Sequence, residues 1–242
     1  MFWNMSRERN AGHPGRSLGA LGRGPALVRN TLFFALAALS GNTLLASESQ
    51  DGVDDFLVAR QQFEAGRAGS PSASAAARQL FGELVRRDAR NPLYLAYYGS
   101  SVVMQGRDSA APWTRLRLAY EGVGILDRAL AMVEQQRGQY PAGPIEVELE
   151  SRLVAIATFI ALPQPVFHRM DVARSQLRTA FASPRFPVAS ADLRGHLIYE
   201  GALIARQDGD RVAERAALLQ VQALAPPSVD LRDVRNRLAE LH

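Results

Sequence analysis

FGELVRRDARNPLYLAYYGSSVVMQGR, residues 81–107, reads as the end of one helix, a turn, and the whole of the next helix. Before the turn, Ala77, Leu80, Phe81, Leu84 and Val85 recur at three- and four-residue spacing, which collects apolar side chains on one helix face. RDARNP stops that helix. Pro92 opens another, because the amide hydrogen that proline lacks has no partner in a first helical turn anyway. The new helix carries Leu95, Tyr98, Val102 and Val103.

The same rhythm extends in both directions. Apolar periodicity and breaks at Gly, Pro, Ser and Asn predict helices at 54–66, 74–88, 93–106, 112–136, 144–162, 165–182, 191–207, 211–224 and 229–241. Phe56, Ala59 and Phe63 form the core face of the first; Leu116, Ala119, Val123, Leu126, Leu130 and Val133 form that of the fourth. A flexible connector is expected over 66–73. One stretch, IEVELE at 145–150, alternates with strand period. Acids in a first turn complement the helix dipole, and a strongly apolar run follows, so helix is the better reading there too. The fold class is therefore all-α, built of antiparallel helical hairpins.

Hairpins repeated along a chain stack into solenoids. In 81–107, Leu95, Gly99 and Gly106 follow the Asn-Pro junction; in HLIYEGALIARQDGDRVAERAALLQVQALAPP, 196–227, Leu197, Gly201, Gly209 and Pro226 fall in a similar order. These two stretches resemble the tetratricopeptide repeat. Val102 and Glu200 depart from its usual residues, and the 106–112 linker is expanded. AYYGS, GRDSAAPW, GVGILDRAL and LPQPVFHR together resemble an uncharacterised group of exported bacterial repeat proteins, with Arg107, Asp108, Pro112, Trp113, Phe167 and Arg169 as distinctive positions. The resemblance implies a short tetratricopeptide-like solenoid. It also implies a concave groove faced by Leu93, Ala96, Ser100, Val103 and Met104.

All 28 basic residues are Arg, and 24 acids leave a net charge of +4. Residues 1–46 hold five Arg against one acid, leaving 23 of each sign in the remainder. The basic balance thus belongs to the leader, and no concentrated basic surface points to nucleic acid. Within the leader, TLFFALAALSGNTLLA (31–46) follows Arg29 and precedes an acidic exit, the layout of a secretory signal. Its 16 residues are short for a spanning helix. A cleaved signal is the favoured reading, with an uncleaved anchor or a buried helix as alternatives. The plan is a leader over 1–46 and a helical-repeat domain over 47–242, exported and either periplasmic or tethered to the inner membrane on that side.

Chemistry is sparse. There is no cysteine, which removes thiolate zinc sites and CxxC redox motifs. His13, His168, His196 and His242 have no second ligand at metal-binding spacing. Gly122-Val123-Gly124 is followed by Asp127 where a dinucleotide fingerprint needs glycine, and reads as a surface gap on a helix. No catalytic residue, metal or cofactor is expected. Arg107-Asp108 with Pro112-Trp113 has two readings. Either Arg107 pairs locally, Asp108 caps a turn and Trp113 packs between helices, or Arg107 and Trp113 line the mouth of the groove, where Arg and aromatics commonly dominate binding. The expected function is a non-enzymatic adaptor holding a protein or peptide partner, preferably an apolar segment. The alternative is a structural subunit docked to a membrane-complex or envelope assembly of the transporter kind.

Overall fold

The structure, a computed structural model, describes residues 42–139 and 146–241, with side chains from residue 52 onward. By their contacts the residues fall into two units, Met1–Val53 and Asp54–His242, and the second holds the core. The signal or anchor reading of 31–46 falls outside the described residues except for the last five positions, whose backbone is helical. His13 and His242 also lie outside them.

Among the described residues the chain is all-helical, with no strand. The helices are α1 Asn42–Arg67, α2 Pro71–Arg87, α3 Pro92–Asp108, α4 Pro112–Gln135 and α5 Val147–Ala161, then α6 Gln164–Phe167, α7 Met170–Ala182, α8 Ala191–Asp208, α9 Arg211–Leu224 and α10 Leu231–Glu240. A 3-10 turn, Phe186–Val188, precedes α8. Starts follow local chemistry. Proline opens α2, α3 and α4, and the side chains of Ser70, Asn91, Ser190, Asp210 and Asp230 accept hydrogen bonds from first-turn amides.

Two expectations change. The connector over 66–73 is a tight turn: α1 continues to Arg67, Gly69 takes φ +106°, and Ser70 caps α2 directly. The two helices lie so close that a Cβ on Gly66 would fall 2.9 Å from Ser74, which leaves no slack to be flexible. The helix expected over 165–182 is broken. His168, at φ 51°, is left-handed and ends α6, and Gln164 holds the break from both sides. Its Nε2 donates to the carbonyls of Phe159 and Leu162 (2.8 Å each), while its Oε1 accepts from the amides of Arg169 (3.1 Å) and Met170 (3.0 Å). One side chain thereby satisfies the end of α5 and the start of α7.

Packing follows chain order. Phe56 and Phe63 of α1 meet Phe81 of α2 and Tyr97 of α3, with the Phe81 and Tyr97 rings stacked at 4.7 Å. At the other end, Ala202 of α8 packs with Leu218 and Val221 of α9 and Val234 and Leu238 of α10. Between α3 and α4, Gly99 and Gly122 face each other, so the two backbones nearly touch. Helices α1 and α3 run parallel: Phe56, midway along α1, lies beside Tyr97 in the first half of α3, and Gly66 lies beside Arg107 near the ends of both.

Helix α5 occupies the centre. Twelve of its fifteen residues are buried, so no face of it is free. It packs on α3, α4, α7 and α8, and reaches α1 through Arg60 and Glu150 at 3.6 Å. This explains IEVELE. Alternating acids normally signal a half-exposed strand, but here the carboxylates stand at the start of one buried helix, Glu146 and Glu148 toward Arg185 and Glu150 toward α1 and α3. Glu146 and Glu148 meet Arg185 (2.9 and 3.9 Å), Glu148 also meets Arg152 (3.8 Å), and Glu150 accepts from the Tyr97 hydroxyl (2.6 Å).

Burial raises the Glu150 carboxyl above the ordinary carboxylate range, against the pull of Arg60 and the Tyr97 hydrogen bond. A carboxyl raised in the folded state stabilises fully below the unfolded value and loses that contribution as pH rises through the folded one. Glu150→Gln keeps an acceptor for Tyr97 but cannot ionise. Urea midpoints of the parent and E150Q should therefore be close at pH 4, with E150Q gaining as the pH rises to 8. A gap that narrows instead would refute the assignment.

Candidate functional site

The residues expected to line a groove are mostly interior. Leu93, Ala96, Ser100, Val103 and Met104 are all buried. Ser100 Oγ lies 2.7 Å from Thr158 Oγ1 of α5, and Val103 packs flush on Gly122 of α4. The space that an open array would leave along this face of α3 is filled by α5, which is buried on every side.

Arg107 is committed as well. It donates to the carbonyls of Gly66 (2.7 Å) and Arg67 (3.5 Å) and to Ser74 Oγ (3.4 Å), and Asp108 grips it from Oδ1 (2.8 Å) and Oδ2 (3.2 Å). A guanidinium there satisfies orphan carbonyls at the C-terminus of α1 and complements its dipole. Arg107 thus pairs locally, but Asp108 ends α3 with its carboxylate on Arg107 rather than capping a turn, and the guanidinium is directed at the end of α1 rather than at a groove mouth. Trp113 differs from both readings. It neither packs between helices nor sits beside a groove, and is 77% exposed.

Trp113 begins an exposed stripe. Along α4, Leu116 (46% exposed) and Tyr120 (52%) follow it at the spacing of one helix face. Periodicity alone places Leu116 in the core; the core face of α4 instead runs through Leu118, Ala119, Gly122, Ile125, Leu126, Ala129 and Val133. Val166 (45%) and Phe167 of α6 extend the stripe sideways, with the Phe167 ring 4.8 Å from that of Tyr120. The Gln164 clasp and the left-handed His168 hold α6 in place. Arg169 fixes its far end, donating to both Asp127 oxygens (3.3 and 2.7 Å) and lying 5.5 Å over the Phe159 ring. Three of the distinctive sequence positions, Trp113, Phe167 and Arg169, thus converge on the α4–α6 surface.

The surface reading of Gly122-Val123-Gly124 is half right. Gly122 is a buried close contact, whereas a Cβ on Gly124 would meet nothing within 4 Å. Three turns beyond Trp113, Gly124 is a shallow gap on the same face as the stripe.

Polar clusters elsewhere serve the fold. Arg152, fully buried, donates to Glu134 (2.6 Å) and Gln176. His196 lies 3.4 Å from Glu200 through Nε2 and 3.3 Å from Ser228 Oγ through Nδ1. Carboxylate, imidazole and hydroxyl stand in the order of a nucleophile triad. Here, though, the Ser228 amide is held by Asp192, and a Cβ on Gly195 would fall 2.6 Å from Pro226, so the group ties α8 to the turn before α10. Among the described residues no set of three His, Asp or Glu is grouped as a metal site, and no helix is long and apolar enough to cross a membrane.

Fold and site together define a class: an all-helical packing unit that presents an exposed aromatic stripe. No family model, curated protein or solved structure matches the chain.

Proposed function

We propose that the chain is an exported, non-enzymatic scaffold of stacked helical hairpins, resembling the tetratricopeptide repeat, that docks a protein partner on the α4–α6 stripe. The observation that carries this reading is the stripe itself. Trp113, Leu116, Tyr120 and Val166 hold large apolar surface in water on two neighbouring helices, whereas Leu57, Phe181, Val188, Val212 and Leu219 are exposed on other segments; contiguous exposed patches of this kind mark interaction surfaces. The hairpin reading is supported by the order of packing, in which α2 to α4 and α8 to α10 each lie on their neighbours in sequence and α1 runs parallel to α3. Export is supported by the layout of 31–46.

A second reading is favoured by one observation. Because α5 fills the inner face, the partner meets a surface rather than a groove, which suits a structural subunit held against a membrane-complex or envelope assembly. Both readings use the stripe. A photo-crosslinking side chain at Leu116, in cells expressing the full chain, should give protein adducts that the same probe at Val212, exposed on α9, does not. An adduct pattern at 116 no stronger than at 212 would overturn the assignment of the stripe.

A further inference from the structure

We propose that the occupant of this stripe is a second copy of the same chain, with two α4 helices packed antiparallel about a two-fold axis. The inference rests on the reading of the stripe as a docking surface and adds the partner. Its basis is self-complementarity along α4. The large residues, Trp113, Leu116 and Tyr120, crowd the first half of the helix, and the gap at Gly124 lies in the second. Trp113 and Gly124 are eleven residues apart, about 16 Å and three whole turns, so they share one line along the helix. An antiparallel copy placed with the axis level with Leu118 and Ala119 sets each Trp113 over the other copy's Gly124.

Charge fits the same axis. Arg117 and Glu121, both exposed, lie together on one flank of the stripe, 3.7 Å apart within the chain. With the axis at that level, Arg117 of each copy faces Glu121 of the other, giving two reciprocal opposite-charge contacts. Isologous interfaces require this property: whatever one copy offers at a given distance from the axis, the other must accept at the same distance. Tyr120 and Leu116 then cross near the centre, where aromatic anchors concentrate binding energy.

The test exchanges charge between chains. Arg117→Glu and Glu121→Arg, each in the full chain, set like charges opposite one another across the axis. Each should weaken self-association about tenfold or more, while mixing the two variants restores it, since the two carboxylates of an R117E chain then face the two guanidinium groups of an E121R chain. The within-chain geometry of each variant is unchanged by mixing, so recovery reports contact between copies alone. Glu121 also lies 3.8 Å from Arg78, and thermal melts of the separate variants check that its loss leaves the fold intact. Trp113→Ala should weaken the dimer about thirtyfold. Sedimentation showing only monomer at about 0.1 mM, where even weak specific pairs form, would overturn the proposal, as would a mixture no more associated than its components. Adducts at Leu116 with a different protein, from a chain that is monomeric, would sink the second copy and leave the docking surface standing.

Discussion

Gly122→Leu should cost about 3 kcal/mol or more of folding stability, because overpacking a filled contact forces backbone to move. A Cβ on Gly122 would fall 2.6 Å from the Gly99 carbonyl oxygen and 2.5 Å from Val103 Cγ2. The first of these is backbone and cannot rotate aside. At Gly99 the reciprocal contacts are Ile125 Cγ2 (2.9 Å) and the Gly122 carbonyl (3.0 Å), so Gly99→Leu should destabilise in the same direction. The control is two residues away. Within one chain Gly124→Ala enters open space, and at concentrations too low for two copies to pair it should gain about 0.5–1 kcal/mol from helix propensity. Urea unfolding of G122A and G124A compares opposite signs on one helix, and equal midpoints would show that α3 and α4 do not cross at this pair.

Arg152→Leu is the second large effect. Its guanidinium is wholly buried, with Glu134, Gln176 and, at 3.8 Å, Glu148 around it. Removing it strands Glu148, itself buried, with only Arg185 at 3.9 Å. Breaking a buried pair from one side costs about 3–5 kcal/mol, whereas replacing both partners with apolar residues is often close to neutral. The double variant Arg152→Leu/Glu148→Leu should therefore recover most of the loss. If the two single costs simply add, the pair is not coupled and Glu148 depends on Arg185 instead.

Some helix starts were legible because they rest on local chemistry, although Ser70-Pro71 carries the same signal inside the stretch expected to be a connector. Asn91-Pro92, Ala111-Pro112 and Ser190 each announce a first turn, and α9 begins and ends as its periodicity indicates. The break after Phe167 was not legible. It depends on the Gln164 amide meeting four backbone groups at once, and periodicity registers no such bond. The groove failed for a different reason. Positions taken from the repeat resemblance presuppose an open inner face, while the signal against one lay in α5: its run LVAIATFI, 153–160, carries no charged residue on any side, the mark of a helix buried all round. The stripe was half visible. Trp113 stood out in its sequence context, but Leu116 and Tyr120 carry the spacing of a core face, and only the placement of α4 shows that among the described residues this face is covered by no more than the edge of α6.

Proteins assembled from like units commonly change length in evolution by gaining or losing whole units, since each unit owes its stability only to the next. Helix α5 forbids that economy here. Five other helices, α1, α3, α4, α7 and α8, lean on it, and its buried acids and Arg152 are matched to partners on several of them. Deleting α1, α3, α4 or α7 would leave one of those charges without its counterpart, whereas α9 and α10 supply none. The architecture is thus fixed in length from its middle, free to vary at α9 and α10, and its descendants are expected to differ in their margins and keep the same central helix.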